Sequence, residues 1–430
     1  MNANRLRAFG ALALFGAFVP GCTGDDITYG PEDAAPKSDS GADSTIVDAS
    51  VPDVVDASAP PTRLLTIAVG AKGELVAIDP SKKSIDGRLV FDGDGVTSAG
   101  FLLQTARDKV SLLDPAAPWT VKASWNVAGT DALDGGEAYA DPIQVIPVAA
   151  NKAYVLRYNR NQIAVIDPTQ AADAGAATKY VDLSSLLQAD DKDGHIDMSG
   201  AVFDPLRKRL YVALANVDLK RFLGFDLECP QTTSTLVAID TTTDAIVGLG
   251  GSGPGGSVSL KGRSIQFGTQ GGVVFDGVKD RIFVVTTGCA VKGDAGNVLV
   301  GRGIEAVDLK TNVSTLLLDG SQLDFPGAFA YESEHVAYVA FGFGAFGTTY
   351  HWDPAVPTLG PAFAKAPDTF AFDRKGAQLL GPQSTTAADG GTGPIMILSV
   401  PTSGDAGVTT IVTSPFLDPG FYLGNVTVVP

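Results

Sequence analysis

One short acidic segment has the residue types of a calcium site. Residues 190–197 read Asp-Asp-Lys-Asp-Gly-His-Ile-Asp. Asp191, Asp193 and Asp197 offer the hard oxygen ligands that Ca²⁺ takes in proteins. The spacing is not that of an EF-hand, because the glycine comes early and no glutamate closes the loop. Acidic turns of an acidic protein are also commonly solvated, so calcium binding and a solvated loop are both open.

Two cysteines could form a disulfide bond. Cys229 and Cys289 are the only cysteines after the N-terminal region, and that region predicts export to a compartment where thiols oxidise. A structural disulfide between them is the prediction. Two free thiols are the alternative, since a sequence cannot show that the two Cα atoms come within about 7 Å.

Other chemistry-bearing residues form no recognisable catalytic set. The three histidines, His195, His335 and His351, are too scattered for an imidazole-rich copper or haem site. The glycine-rich residues 248–256 lack the lysine-serine ending of a phosphate loop, and no Gly-x-Ser-x-Gly elbow is present. The sequence therefore offers no nucleophile with a base at usable spacing.

A sevenfold repeat supplies the elements that position these residues. Each unit has an apolar strand that ends in an acidic or proline turn, at residues 75–80, 110–115, 163–168, 236–241, 304–309, 349–354 and 396–401. Such a repeat indicates stacked modules, because one module cannot bury its own apolar face. Around the third and fourth copies, four short β-branched strands separated by turn residues predict an antiparallel meander. Radial repetition of four-stranded sheets makes an all-β protein, a β-propeller.

The fourth unit resembles a known family. Leu-Tyr-Val-Ala at residues 210–213, followed by Val-Ala-Ile-Asp-Thr-Thr-Thr-Asp at 237–244, is similar to the YVTN or YncE-like repeats of quinoprotein-amine-dehydrogenase-like propellers. The resemblance covers most of residues 64–430 and implies seven blades. Only 35 residues separate Asp79 from Asp114, which leaves little room for an inner strand, so six or eight blades stay open. So short a motif supports fold and not activity.

Both ends of the repeat region predict how the ring closes. Residues 64–69 align with second strands of other units, and residues 425–430 match innermost strands. Pairing them would complete the first blade and remove two exposed sheet edges.

In a meander, the loops from strand 2 to strand 3 and the linkers between blades share one face. The long insertions lie there, at residues 189–198, 216–234 and 286–301, and we call this side the insertion face.

The N-terminal residues predict export and a lipid anchor. Two arginines precede the apolar residues 8–19, a run too short to span a bilayer comfortably. The Gly21-Cys22 pair that follows resembles the bacterial lipoprotein box, which implies that residues 1–21 are removed and that Cys22 is lipidated. An ordinary secretory signal with an incidental cysteine is the alternative.

Residues 22–62 are predicted to be a disordered acidic tether to a propeller at residues 63–430. The tether has nine acids, one base and five prolines, and too little apolar surface to fold. Of the net charge of −17, the signal contributes +2 and the tether −8, which leaves −11 on the propeller. An acidic body argues against nucleic acid as a partner.

Together these features predict an exported lipoprotein, anchored in the cell envelope at the outer membrane. We expect it to bind a protein or glycan through the insertion face, which would point away from the tether. The alternative is a lactonase-like or metal-assisted hydrolase with its site at the central channel.

Overall fold

The computed structural model of the chain describes residues 62–69, 72–131, 138–170, 175–191, 193–217, 222–223, 226–229, 232–262, 272–293, 296–323, 326–341, 348–363, 373–375, 378–383, 396–401, 409–413, 415 and 421–429. The predicted signal peptide, Cys22 and the tether up to residue 61 lie outside the described residues. Within those ranges, no helix has the length and apolarity needed to cross a membrane.

The first half of the described chain consists of short strands. They are β1 (Arg63–Val69), β2 (Lys72–Asp79), β3 (Ser84–Asp92), β4 (Val96–Ser98), β5 (Phe101–Gln104), β6 (Lys109–Asp114), β7 (Ala117–Asn126), β8 (Pro142–Ala149), β9 (Lys152–Arg157), β10 (Gln162–Ile166), β11 (Gly175–Ala176), β12 (Lys179–Asp182), β13 (Met198–Asp204), β14 (Arg209–Leu214), β15 (Phe222–Leu223), β16 (Asp226–Leu227), β17 (Thr235–Asp240), β18 (Ala245–Val247) and β19 (Val258–Ser259). Three single turns of 3₁₀ helix interrupt them, at Thr105–Arg107, Ser184–Leu186 and Pro254–Gly256.

The second half continues in the same way, with two much longer strands. They are β20 (Val273–Asp276), β21 (Arg281–Gly293), β22 (Gly296–Asp308), β23 (Val313–Asp319), β24 (Pro326–Ser333), β25 (Val336–Phe341), β26 (Thr348–Trp352), β27 (Leu359–Ala362), β28 (Asp373–Lys375), β29 (Gln378–Gln383), β30 (Met396–Pro401), β31 (Thr409–Thr413) and β32 (Phe421–Val429).

These strands form seven antiparallel meanders of four strands among the described residues. From the inner to the outer strand the blades are β32-β1-β2-β3, β4-β5-β6-β7, β8-β9-β10-β12, β13-β14-β17-β18, β20-β21-β22-β23, β24-β25-β26-β27 and β28-β29-β30-β31, and we number them one to seven. The repeated phrase of the sequence is the third strand of every blade. Strand β11 adds in parallel to β7, β19 pairs with β17, and β15 with β16 forms a separate hairpin.

The blades surround a common axis. Innermost strands of neighbouring blades contact each other in order: β32 with β4, β4 with β8, β8 with β13, and β13 with β20. Strand β28 of blade seven returns to contact β32 of blade one. The chain is therefore a β-propeller, as the repeat predicts.

The hydrophobic core is divided into wedges between adjacent blades. In blade one, Leu64 and Ile78 pack with Leu380 and Ile411 of blade seven. Their neighbours along the strands, including Leu65, pack instead against blade two. Both faces of a middle strand are thus buried, which explains why the repeated phrase is an unbroken apolar run and not an alternating one.

Blade one is completed by the two ends of the described chain. Strand β1 pairs with β2 on one side and with β32 on the other, with Arg63 opposite Val429 and Ile67 opposite Asn425. The predicted closure is confirmed. A side-chain hydrogen bond crosses from this seam to blade two, where the hydroxyls of Thr97 and Thr427 are 2.7 Å apart.

Blade two has the short inner strand that the sequence spacing requires. Strand β4 has three residues, Val96–Ser98, and still pairs fully with β5. The hydroxyl of Ser98 accepts a hydrogen bond from the Val145 amide of blade three at 3.1 Å. One full repeat of four strands, β3 to β6, therefore fits between Asp79 and Asp114, because the inner strand needs only enough length to contact its neighbours.

The aspartate of the repeated phrase closes the turn after the third strand. The Asp308 carboxylate accepts hydrogen bonds from the amides of Lys310 and Thr311, both at 2.8 Å. Five other copies use their aspartate similarly: Asp79, Asp114, Asp167, Asp240 and Asp353. The seventh copy ends in Val400 and Pro401 instead. These turns and the turns between strands 1 and 2 form the side opposite the insertion face, which we call the turn face.

Removal of residues 425–430 is expected to open blade one. Leu65 and Ile67, which are 0% and 1% exposed, would lose a paired strand and the cover of Val429. Each such side chain contributes about 1.5–3 kcal/mol when fully buried, so thermal unfolding should shift strongly downward and aggregation should increase. A chain that lacks only Pro430 is the control. Equal melting temperatures for the two truncations would contradict closure through β32.

Asp308→Ala is expected to destabilise the domain by about 1 kcal/mol, because two turn amides lose their acceptor. Asp308→Asn is the matched control, since its side-chain oxygen can still accept both hydrogen bonds. Urea unfolding at neutral pH measures the difference. If the two variants were equally destabilised, the charge and not the hydrogen bonds would be the cause.

The same pair of variants gives a pH dependence. The amides of Thr311 and Lys310 hold the pKa of Asp308 below its ordinary value of 3.8. A carboxyl group whose pKa is lowered by folding contributes stability in full above that ordinary value, and this is lost as the pH falls through the folded-state pKa. The free energy of unfolding of Asp308→Asn should therefore fall less steeply than that of the parent below about pH 4.

Candidate functional site

The insertion face is built on linkers that side chains hold in place. Asp108, at the end of the loop between strands 2 and 3 of blade two, accepts a hydrogen bond from the Ala140 amide at 2.6 Å. Asn161, at the same position of blade three, accepts one from the Ile196 amide at 3.1 Å. Ala140 and Ile196 each lie just before the inner strand of the next blade. Blades two and three thus each fix the backbone that leads to the next blade.

A glutamate does the same between blades four and five. Glu305 is fully buried, and its carboxylate accepts hydrogen bonds from the Lys261 amide at 2.8 Å and from the amide of Gly262. The hydroxyl of Ser314 donates to the same carboxylate. We call Asp108, Asn161 and Glu305 the linker clamps. Because buried amides need partners, each clamp stabilises a linker that would otherwise lose hydrogen bonds.

Charged side chains reinforce the linker between blades two and three. Arg157 is fully buried, and its guanidinium donates to the carbonyls of Val127 and Ala128 at 3.2 and 2.9 Å. It also lies 3.2 Å from the Asp131 carboxylate and stacks over the Tyr180 ring. Burial lowers the pKa of Arg157 and Asp131 opposes this effect, so the guanidinium keeps its charge.

Burial affects the nearby Asp108 in the opposite sense. It raises the pKa of Asp108 above its ordinary value, although the Ala140 amide opposes the shift. A raised carboxyl pKa can mark a catalytic acid, but here the side chain is committed to the linker. The charges of this region therefore hold backbone in position.

The three carboxylates of the predicted calcium site accept hydrogen bonds from different backbone amides. Asp191 accepts from the amides of Asp193 and Gly194 at 3.3 and 3.4 Å, and Asp193 accepts from the amide of His195 at 3.0 Å. Asp197 is 1% exposed and accepts from the Val217 amide at 2.8 Å, at the base of the blade-four insertion. Over the described ranges, no three His, Cys, Asp or Glu side chains are grouped closely enough to hold a metal.

The predicted disulfide partners are brought together by the two longest insertions. Strands β21 and β22 continue beyond blade five as a hairpin, paired from Thr287 with Arg302 to Gly293 with Gly296. Glu228 forms a parallel bridge to Ala290, and the amide of Cys229 donates to the Ala290 carbonyl at 2.9 Å. The Cα atoms of Cys229 and Cys289 are 4.8 Å apart, and their sulfur atoms are placed as a disulfide. We call residues 286–303 with residues 222–223 and 226–229 the arm.

Two glycines set the angle at which the arm leaves the blade. Gly288 and Gly301 have φ values of 71° and 66°, in the left-handed region that glycine tolerates best. A Cβ atom on Gly301 would lie 2.4 Å from the Cα atom of Gly262, which belongs to the linker held by Glu305. The arm therefore bends against a fixed linker.

The base of the arm is also tied to blades three and four. The side chain of Gln188 accepts from the Thr233 amide at 2.9 Å and donates to its carbonyl, which joins the acidic loop to the blade-four insertion. Asn216 donates to the same carbonyl at 2.8 Å. On the blade-five side, the Arg302 guanidinium donates to the carbonyls of Thr287 and Leu323.

The arm exposes an apolar strip at its outer end. Val291 lies opposite Val298, and Val300 lies opposite Cys289, so the four side chains share one face of the hairpin. Cys289 is buried beneath the blade-four segment. Val291, Val298 and Val300 are 39%, 51% and 38% exposed.

The comparisons with known proteins concern the fold. No protein-family model matches the sequence, and no curated protein matches it. Among solved structures, similarity is found to dihydro-heme d1 dehydrogenase NirN in complex with DHE, with 11% identity and a TM-score of 0.46 over 81% of this chain and 63% of that one. The chain thus spans less than two thirds of the NirN chain.

Two other similar structures are covered more fully. One is a putative 6-phosphogluconolactonase from Bacteroides uniformis, with 10% identity and a TM-score of 0.47 over 86% of this chain and 100% of that one. The other is the β-propeller domain of Myceliophteria thermophila Cps50 (Swd1), with 12% identity and a TM-score of 0.46 over 78% and 93%. At identities of 10–12% and TM-scores below 0.5, these similarities carry no information about activity.

The disulfide between Cys229 and Cys289 stays a prediction, and thiol labelling tests it. The chain is unfolded without reductant in a Cys22→Ser background, so that only these two thiols can react. We expect no labelling before reduction and two labels after it. Two reactive thiols before reduction would contradict the bond. Because the two cysteines are 60 positions apart in the sequence, loss of the bond in Cys229→Ser/Cys289→Ser should cost roughly 4 kcal/mol.

The calcium prediction is tested by thermal unfolding with millimolar Ca²⁺. Binding to the folded state alone raises the melting temperature by mass action. The rise should disappear in the Asp191→Asn/Asp193→Asn variant and should not occur with Mg²⁺, which demands a stricter octahedral geometry. If Ca²⁺ produces no shift, or if the double variant keeps it, the acidic loop is only solvated.

Proposed function

We propose that this propeller is a binding module that recognises a protein or glycan partner through its insertion face. The observation that carries the proposal is the arm, in which insertions of two blades are joined by backbone pairing, with Cys229 and Cys289 adjacent. Its outer end presents three exposed valines on one face. An apolar strip on a preorganised projection suits recognition, because little conformational entropy is lost on binding.

The linker clamps support the same proposal. Their buried side chains hold the linkers that join blades two to five, and Glu305 holds the linker that lies against the arm. A rigid scaffold that presents variable loops is the usual arrangement of binding propellers and sandwiches. Charged side chains of this face, such as Arg157 and Asp197, form hydrogen bonds with backbone groups of the propeller itself.

We further propose that the protein works at the cell envelope, exported and anchored to the outer membrane through lipidated Cys22. The geometry of the propeller suits this location. Strand β1 begins at Arg63 on the turn face, where the guanidinium lies 2.5 Å from the Asp86 carboxylate. Strand β1 thus enters the propeller on the face opposite the arm. If Cys22→Ser leaves both signal cleavage and membrane association unchanged, the anchor is wrong.

Capture from envelope extracts tests the binding function. The wild-type chain is compared with an arm variant, in which residues 287–302 are replaced by a two-residue turn. The matched control is Leu206→Ser/Val278→Ser, which changes two exposed apolar side chains of the turn face on the same two blades. We expect a partner that the control retains and the arm variant loses, and that binds the purified chain directly. A partner that the arm variant still binds, or no partner, would contradict the proposal.

A further inference from the structure

Arg160 is a buried arginine whose guanidinium lacks hydrogen-bond acceptors. It lies in the loop between strands 2 and 3 of blade three and is 7% exposed. Its ion-pair partner, the Asp131 carboxylate, is 3.7 Å from Nη1, which is too far for a hydrogen bond. The Nε atom is fully buried and has no acceptor. Within the described ranges, nothing accepts a hydrogen bond from this guanidinium, although it has five N–H groups.

The charged side chains around Arg160 are already engaged. The Arg157 guanidinium donates to three backbone carbonyls. Asp131 accepts from Arg157 at 3.2 Å and from the Asn161 amide at 3.1 Å. A buried cation without acceptors costs free energy, and a binding site that awaits its ligand has such unpaired groups. Arg160 therefore indicates a ligand that supplies the missing acceptors.

Arg160 belongs to the insertion face, between blades two and three. Burial raises the pKa of Asp108 in the corresponding loop of blade two, and the charge of Arg160 is one of the effects that oppose this rise. Asn159, the residue before Arg160, donates from its side chain to the Tyr139 carbonyl at 3.0 Å. Tyr139 is part of the linker between the two blades and is only partly buried. The loop of Arg160 thus adjoins a linker that carries a partly exposed aromatic residue.

The balance of charge around Arg160 disfavours an anion as the ligand. Arg157 and Arg160 are matched by Asp108 and Asp131, so the group as a whole is neutral. An added anion would make it negative within a propeller that already carries −11. A hydroxyl or carbonyl oxygen can accept hydrogen bonds from the guanidinium and leave the balance unchanged.

The shape of the donor group favours a sugar over a peptide. A guanidinium directs two N–H groups in parallel, as a planar fork. Adjacent hydroxyls of a sugar ring present two oxygen acceptors side by side, whereas successive carbonyls of an extended peptide point to opposite sides. A partly exposed tyrosine such as Tyr139 also suits a sugar, because its ring offers an apolar surface next to polar groups.

We propose that Arg160 binds a neutral glycan between blades two and three, by donating two parallel hydrogen bonds to adjacent hydroxyl oxygens of one sugar ring. This inference rests on the proposed binding function and names a glycan as the ligand of this part of the insertion face.

An array of neutral oligosaccharides, built from hexose and N-acetylhexosamine units, tests the inference with the purified chain. We expect binding to at least one of them, and calorimetric titration with that oligosaccharide gives the affinity. Arg160→Met should weaken binding at least about tenfold, because two charge-assisted hydrogen bonds are lost. Arg160→Lys should weaken it similarly, since lysine keeps the charge but not the fork. Arg107→Met is the matched control, because it removes the same charge from the corresponding, exposed position of blade two.

Thermal unfolding of the same variants separates binding from folding. The Arg160 side chain forms no hydrogen bond with the described residues, and Arg160→Met takes a charge out of a buried position. The variant should therefore melt at the temperature of the wild-type chain or above it. A variant that lost both affinity and stability would show that Arg160 serves the fold, and this would overturn the inference.

The other outcomes are equally distinct. Unchanged affinity in Arg160→Met or Arg160→Lys, or no bound neutral oligosaccharide, would overturn the inference. Binding only to uronic acid oligosaccharides would indicate an anion site instead. An envelope protein that still requires Arg160 after enzymatic removal of its glycans would make the ligand a peptide, which also overturns it. If the captured partner requires the arm while the glycan tests fail, the binding function stands and only the glycan site is wrong.

Discussion

The pairing of β1 with β32 is the interaction on which the rest of the structure depends. Each wedge of core lies between two blades, so every blade needs a neighbour on both sides. Without this pairing, blade one would lack its innermost strand, and the contacts of β32 with β28 and β29 of blade seven would be lost. Closure therefore turns a row of marginal sheets into one ring, since no sheet then keeps an uncovered apolar face.

Within the ring, the backbone amides of the two faces find their hydrogen-bond acceptors in different ways. On the turn face, short turns are closed locally by the aspartate of the repeated phrase, as at Asp240. On the insertion face, the linkers are longer and cannot satisfy their own amides, so side chains from the neighbouring blade do so, as at Asn161 and Glu305. The ends of the loops between strands 2 and 3 thus hold the linkers, as Asp108 and Asn161 do, and the residues between those ends carry the insertions.

The fold could be predicted from the sequence because each copy of the repeated phrase corresponds to the third strand of a blade. Two of the linker clamps could also have been found, since Arg107-Asp108 and Arg160-Asn161 precede the phrase at the same offset in blades two and three. Asp197 could not be placed, because its partner amide at Val217 lies 20 residues away and only the fold brings them together. The valines of the arm were missed because alternating Val298 and Val300 look like an ordinary strand core.

The predicted bond between Cys229 and Cys289 would affect how the ring opens locally. Blades of a propeller can unfold separately, as partly independent cooperative units. This bond would join a loop of blade four to the second strand of blade five, and the covalent loop would enclose the two outer strands of blade four and the inner strand of blade five. The two blades should therefore exchange their amide hydrogens as a single unit. Because both blades would have to open together, an arm fixed to both should resist a pulling force better than an arm fixed to one blade.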